Sequence, residues 1–393
     1  MRHVATTTAA ILLTTTMALA QPATRPASPY ARWEHGPSTD PSYFPIGVWM
    51  QQPFNAAKYK AIGINLYIGL WNGPTREQLA ELQPTGIQTI ADQNAVALDP
   101  KYRGLIVGWL QGDEPDNSQS DGKGGWTHPI PPADVIKRYE KAKATDPTRP
   151  VLLNLGQGVA WDGWYGRGER TNHPEDYAEY AKAGDIISFD IYPATARPKD
   201  EVHGQIWRVG YGTERLRGWA RPEQPVWTVI ETTNIDGDGQ VTPEQLRAEV
   251  WMALVNGAQG IFYFCHQMKP TFNEDALLDD DRIRPAVAAI NAQIRELAPV
   301  LNSPTLVGRT TVKTSGADAP VDVLTKEHGG AVYVFAVATR DKATPATFSV
   351  RDLPDGTTIE VLGEDRQVKV SNGTFEDAFG PYAVHLYRVR GRR

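Results

Sequence analysis

The chain has 393 residues, a formal net charge of -6, one cysteine and eleven tryptophans. Mild acidity, with no basic block beyond the tail RVRGRR, argues against a nucleic-acid partner. The lone Cys265 excludes an internal disulfide framework, and the length allows one large core plus a smaller module.

Residues 1–20 begin with Arg2 and His3, continue through a short run of Ala, Thr and Leu, and close on Ala18-Leu19-Ala20. This is the pattern of a secretory signal cut near Ala20, so the expectation is a secreted or periplasmic protein. Residues 21–43 read as a linker and N-terminal segment, rich in Pro, Ala and Ser at first. No later stretch is long and apolar enough for a membrane span.

From residue 44 the pattern alternates. Short, nearly all-apolar runs at 45–50, 64–70, 88–92, from 105, and at 151–155, 185–192, 226–231 and 260–265 predict strands. Helical spacing falls between them at 54–62, 75–85, 132–145, 174–183, 206–219 and 243–256, with a weak helix at 94–103 and a long closing one at 283–301. Strands without polar alternation belong to a parallel sheet buried on both faces. Eight such units in about 260 residues predict a (β/α)8 barrel over 44–303. Beyond it, VYVFAVAT, ATFSV, TTIEVL and AVHLYRV are strand-like with no helix between them, which predicts a small antiparallel β-sandwich over 304–393.

Chemistry in such a barrel sits at the C-terminal ends of the strands. The stretch LIVGWLQGDEP ends an apolar run in Asp113 and Glu114, and VWTVIETTN ends another in Glu231. Turn chemistry alone accounts for an acidic pair after a strand, but a charge within a buried run is costly unless it is used. Two carboxyl groups on a shared rim suit glycosidic hydrolysis, which needs one acid to protonate the leaving oxygen and one carboxylate to attack or to activate water.

On these residues the chain resembles the clan A glycoside hydrolases, retaining barrels with an acid/base Glu after the fourth strand and a nucleophile Glu ending the seventh. The resemblance implies that Glu114 is the acid/base and Glu231 the nucleophile of a double displacement, acting on a β-linked poly- or oligosaccharide, β-glucan or β-galactoside first. Many clan members carry Asn before the acid/base; here Asp113 stands there and accepts but does not donate when ionised. Tyr192, in DIYP, matches a tyrosine that often bonds the nucleophile. The eighth strand often ends in Trp, and IFYFCHQ offers His266 or Phe264 instead.

Trp49, Asp92, Asn94 and Asn154 fall at neighbouring strand ends, where they would bind hydroxyls or satisfy loop backbone. Trp71, Trp126, Trp161 and Trp164 stand beside Gly, Pro or Asn and offer either sugar-stacking faces or loop packing. The loop 117–131, with Trp126 and His128, is expected to be mobile and to shape the leaving-group side of the cleft. Residues 234–245, NIDGDGQVTPEQ, resemble a calcium loop but lack Asp at the first place and Glu at the last, so an Asp-Gly turn before a helix is the other reading. Asp279, Asp280 and Asp281 read as a helix cap. No spacing suits a metal centre, a phosphate loop or a dinucleotide, and no cofactor is expected. Two alternatives stay open: a non-catalytic carbohydrate-binding barrel, and another hydrolase or lyase on the same fold.

Overall fold

The computed structural model describes residues 28–236 and 239–390, so the expected signal sequence lies outside the described residues. Eight parallel strands close into a barrel: β1 (Ile46–Gln51), β2 (Leu66–Leu70), β3 (Gln88–Ala91), β4 (Ile106–Asp113), β5 (Val151–Leu155), β6 (Ile186–Phe189), β7 (Val226–Glu231) and β8 (Ile261–Phe264), with β8 paired back to β1. Alternate side chains divide between two layers. Leu66, Ile68, Ile90, Val107, Leu152, Ile186, Trp227 and Phe262 fill the interior. Ile106, Val151, Leu153, Ile187, Val226 and Ile230 face the surrounding helices. Both faces are therefore dry, which is why the strands carry so few polar residues.

The helices are α1 (Ala56–Ala61), α2 (Arg76–Leu82), α3 (Pro132–Thr145), α4 (Tyr177–Tyr180), α5 (Arg208–Trp219), α6 (Pro243–Val255), α7 (Ala276–Asp279) and α8 (Ile283–Leu301). Thr75 and Gln78 form a capping box on α2, and Thr242 and Gln245 form another on α6. Gln245 is thus committed to a helix start; two residues of the calcium-like stretch, 237 and 238, lie outside the described residues. Asp280 accepts from the backbone N–H groups of Arg282 and Ile283 at 2.8 and 3.0 Å, the expected cap of α8.

Three expectations are corrected. Between β3 and β4 only the short 3-10 turn Pro100–Tyr102 forms, because Asn94 and Asp99 bond the nearby backbone N–H groups of Ala97 and Lys101 and favour turns. The helix expected at 174–183 is α4 flanked by two 3-10 turns, held by side chains: Tyr177 donates to Asp116 and Tyr180 to the Ile130 carbonyl. The third concerns the stretch read as a linker, which from residue 28 belongs to the barrel. Tyr30 and Trp33 join the interior cluster, and the Tyr30 hydroxyl donates to Gln259 O at 2.8 Å while accepting from Trp227 Nε1 at 3.0 Å.

After α8 the chain forms β9 (Thr310–Thr314), β10 (Val321–His328), β11 (Ala331–Ala338), β12 (Thr344–Val350), β13 (Thr358–Val361), β14 (Arg366–Lys369), β15 (Thr374–Phe379) and β16 (Val384–Arg390). They make an antiparallel sandwich of a five-stranded sheet, β10-β11-β16-β13-β14, and a three-stranded sheet, β15-β12-β9. Phe348, Phe375, Phe379 and Tyr387 form its aromatic core. It docks on the barrel through Trp251 of α6 against Phe335, and through Arg247 Nη1 donating to Val384 O at 3.1 Å. Among the described residues no helix is long and apolar enough to cross a membrane.

Candidate active site

At the C-terminal end of β4 the pairing with β5 slips: Leu110 sits opposite Leu152, but the next pair is Asp113 with Asn154. Gly112 and Glu114 both adopt positive φ, 67° and 40°. A bulge of this kind re-aims side chains, and here it turns Asp113 and Glu114 together into the barrel mouth. A left-handed glutamate costs on the order of 1 kcal/mol, a strain typical of functional positions. Gly156, on the loop after β5, makes the room: a Cβ there would lie 2.8 Å from Glu114 Oε1.

The mouth holds a cavity of about 450 Å³ with two unlike walls. Asp113, Glu114, Asn154, Asp190 and Tyr192 form the polar wall; Trp49, Trp71, Phe262, Phe264, His266 and Met50 face it. The apolar wall is a set of ring contacts: Trp49 stacks on Phe262 at 5.9 Å, Trp71 tilts against His266 at 5.3 Å, and Phe264 meets Tyr192 of the polar wall at 5.1 Å. Gly69 admits Met50, whose sulfur would collide with any Cβ at that position. One polar edge opposite one flat apolar face is the shape of a sugar ring's needs.

The polar wall is one network. Asn154 Nδ2 donates to Asp113 Oδ1 at 2.9 Å and to Asp190 Oδ2 at 3.2 Å, and Ser188 Oγ fixes its amide by donating to Asn154 Oδ1 at 2.8 Å. Tyr192 donates to Asp190 Oδ2 at 3.1 Å. Asp190 Oδ1 meets no N–H or hydroxyl donor, and the Glu114 carboxyl lies beside Asp190; contact between two acids requires a proton. Burial, then the charges of Asp190 and Asp113, hold the Glu114 pKa well above the usual carboxylate range, so Glu114 is the neutral donor of that pair. Burial lifts Asp190 to about 7, and the Asp113 charge adds to this. Asp113 opens onto the cavity but has protein on its other sides, and loss of hydration lifts it to about 6 against the opposing Asn154 hydrogen bond.

Glu231 lies elsewhere. It is fully buried, does not line the cavity, and is held by Ala194 N at 2.7 Å, Thr195 N at 2.9 Å and Thr195 Oγ1 at 2.6 Å. Its other neighbour is Glu249 of α6, also fully buried, and burial raises both acids. The bonds received by Glu231 oppose that rise, whereas the Glu231 charge reinforces it in Glu249, so Glu249 is the neutral partner and donates to Glu231.

Of the other residues named from sequence, Asp113, Tyr192, Trp49, Asn154 and His266 join Glu114 around the cavity. Tyr192 bonds Asp190 rather than Glu231, because the Glu231 carboxylate is turned to the loop that follows β6. His266 is kept neutral by burial, and its Nε2 donates to Met50 O at 2.9 Å. Trp126 does not reach the cavity; it is 75% exposed, in a bridge with Ser120. Asn94 serves loop backbone, donating to Pro74 O. The loop 117–131 is tied at its ends, Ser118 N donating to Gly166 O and Ile130 N to Pro115 O, and closes on itself through Thr127 N and Gln119 O, while most of 120–129 is exposed. Asp190 was not among the residues named from sequence, although an acid at the end of the sixth strand obeys the rule that picked out Glu231.

Solved structures share this architecture. AmyP bound to maltotriose superposes with a TM-score of 0.55 at 9% identity, over 90% of this chain and 98% of that one. The alpha-amylase of Geobacillus thermoleovorans complexed with acarbose gives 0.53 at 11% identity, over 91% and 100%. A Bacteroides fragilis protein described as an alpha-galactosidase/melibiase gives 0.52 at 11% identity, over 89% and 79%. These neighbours are glycoside hydrolases, and at such identities the likeness establishes a shared fold. No family model and no curated protein matches the chain.

Proposed function

We propose that the chain is a glycoside hydrolase whose working carboxyl groups come from the ends of β4 and β6. The observation that carries the reading is the Glu114 carboxyl set against Asp190, beside Asp113, on the polar wall of a cavity whose other wall is aromatic. Glu114 gives its proton to the leaving oxygen as the glycosidic C–O bond breaks. Asp113, the acid most open to the cavity, takes a proton from the water that adds to the sugar carbon. Asp190, steadied by Asn154 and Tyr192, keeps the proton on Glu114 until it is needed.

This assignment differs from a Glu114–Glu231 double displacement, because Glu231 already receives three hydrogen bonds and has no opening to the cavity. The β-linked glucans and galactosides suggested by the clan resemblance remain the first substrates, and α-glucans and α-galactosides join them because the structural neighbours include an alpha-amylase and a protein described as an alpha-galactosidase. Release of reducing sugar from this panel by the chain starting near residue 21, against Asp113→Asn, tests the proposal. Activity on one class that vanishes in the variant supports it. No release from any glycan that the protein demonstrably binds would favour a binding barrel instead.

A further inference from the structure

The loop after β5 carries a second aromatic surface outside the cavity. Trp161, Trp164 and Tyr165 form one cluster, with ring centroids 5.3 Å apart for Trp161 and Trp164 and 4.5 Å for Trp164 and Tyr165. Both indole N–H groups are engaged, Trp161 Nε1 with Glu201 Oε2 at 3.1 Å and Trp164 Nε1 with Asn117 Oδ1 at 2.9 Å, so neither ring is free to swivel. Gly166 packs under Trp164, where a Cβ would come within 2.5 Å of the indole. Buried Arg167 pins the same loop to Asp116 O and Asp176. On this fixed base Tyr165 stands 56% exposed. An open ring on a rigid support is a poor way to build a core and a good way to bind a flat apolar face at little entropic cost.

Its position gives it a direction. A groove of about 150 Å³ runs past the cluster, and Tyr192 and Ile235 line both this groove and the cavity, so the two adjoin. Asn117, which holds Trp164, crowds the same Gly156 that borders Glu114 Oε1. The platform therefore lies on the Glu114 side. A proton donor stands beside the leaving oxygen, so whatever lies beyond it belongs to the leaving group.

We propose that Tyr165 and Trp164 are a sugar-binding platform for the leaving-group portion of the substrate, and hence that the substrate is an oligo- or polysaccharide with further rings beyond the cleaved bond. This rests on the hydrolase reading above. Its test compares, for wild type, Tyr165→Ala and Tyr165→Phe, the kcat/KM on a tetrasaccharide of the active class and on the glycosyl fluoride of the same sugar, whose leaving group cannot reach the platform. Stacking of one ring predicts a roughly tenfold loss on the tetrasaccharide for Tyr165→Ala, no change on the fluoride, and recovery in Tyr165→Phe. Equal losses on both substrates, or none on either, would overturn the platform. Binding of cellotetraose, maltotetraose and a galactan tetrasaccharide, followed by intrinsic fluorescence, separates the two claims. Binding without turnover that weakens in Tyr165→Ala contradicts the hydrolase and keeps the platform; binding indifferent to Tyr165→Ala removes the platform whatever the turnover.

Discussion

At the ends of β4 and β6, Asp113, Glu114 and Asp190 share one wall of an open cavity, whereas at the end of β7 Glu231 is sealed against Glu249 by the loop that follows β6. Both places hold acids that burial has driven toward the neutral form. The difference is access. A proton held on Glu114 can be handed to a ligand in the cavity, while one shared by Glu231 and Glu249 has nowhere to go. A perturbed acid marks a functional candidate only when something else can reach it.

The comparison breaks most sharply at the cavity. Glu114→Gln removes the proton donor, and a loss of about 10²- to 10⁴-fold in kcat on an unactivated glycoside is expected, with sugar binding retained. Asp113→Asn should cost a similar factor. Because Asp113 must be ionised and its pKa is lifted to about 6, the acid limb of the wild-type kcat/KM profile should rise near that value. A limb near the ordinary aspartate value would show that a different group supplies the carboxylate.

Asp190→Asn tests positioning. It removes the charge that holds the proton on Glu114, so the alkaline limb should move to lower pH even where activity survives. It also acts on stability. An aspartate raised from near 4 to about 7 binds more protons folded than unfolded across that window, so its contribution to stability falls as pH rises through it. The Tm of Asp190→Asn relative to wild type should therefore increase from about pH 5 to about pH 8.

In the sealed pair the effects belong to stability. Glu249→Gln leaves a neutral donor to Glu231 but abolishes proton linkage at that site; because the Glu249 pKa is raised, the variant should gain on wild type as pH rises above the ordinary glutamate range, read as the Tm difference. The smallest effect is expected of Trp126→Ala, which should leave kcat/KM unchanged, since that ring faces solvent.

The barrel was legible because eight apolar runs without polar alternation admit few other folds, and the DEP stretch because acids closing such a run fall on the functional rim. Asp190 was hidden inside DIISFDIY, which reads as one continuous strand to Tyr192; the strand stops at Phe189, and the next residue is free to turn into the cavity. The surroundings of Glu231 were hidden for a related reason. Two-residue alternation through Trp227 and Val229 points it inward, and nothing local announces that Ala194 and Thr195, more than thirty residues earlier, offer the donors that capture it. Tyr30 was likewise unreadable, since its partners, Trp227 and Gln259, are far away in sequence.

The most direct measurement is kcat on one unactivated glycoside for Glu114→Gln and Glu231→Gln side by side, with the Tm of each. The account predicts a loss of about 10²- to 10⁴-fold for Glu114→Gln with Tm little changed. For Glu231→Gln it predicts destabilisation of about 1–3 kcal/mol from disturbed buried hydrogen bonds, with kcat within tenfold of wild type. A folded Glu231→Gln protein as inactive as Glu114→Gln would contradict it and return the nucleophile to β7.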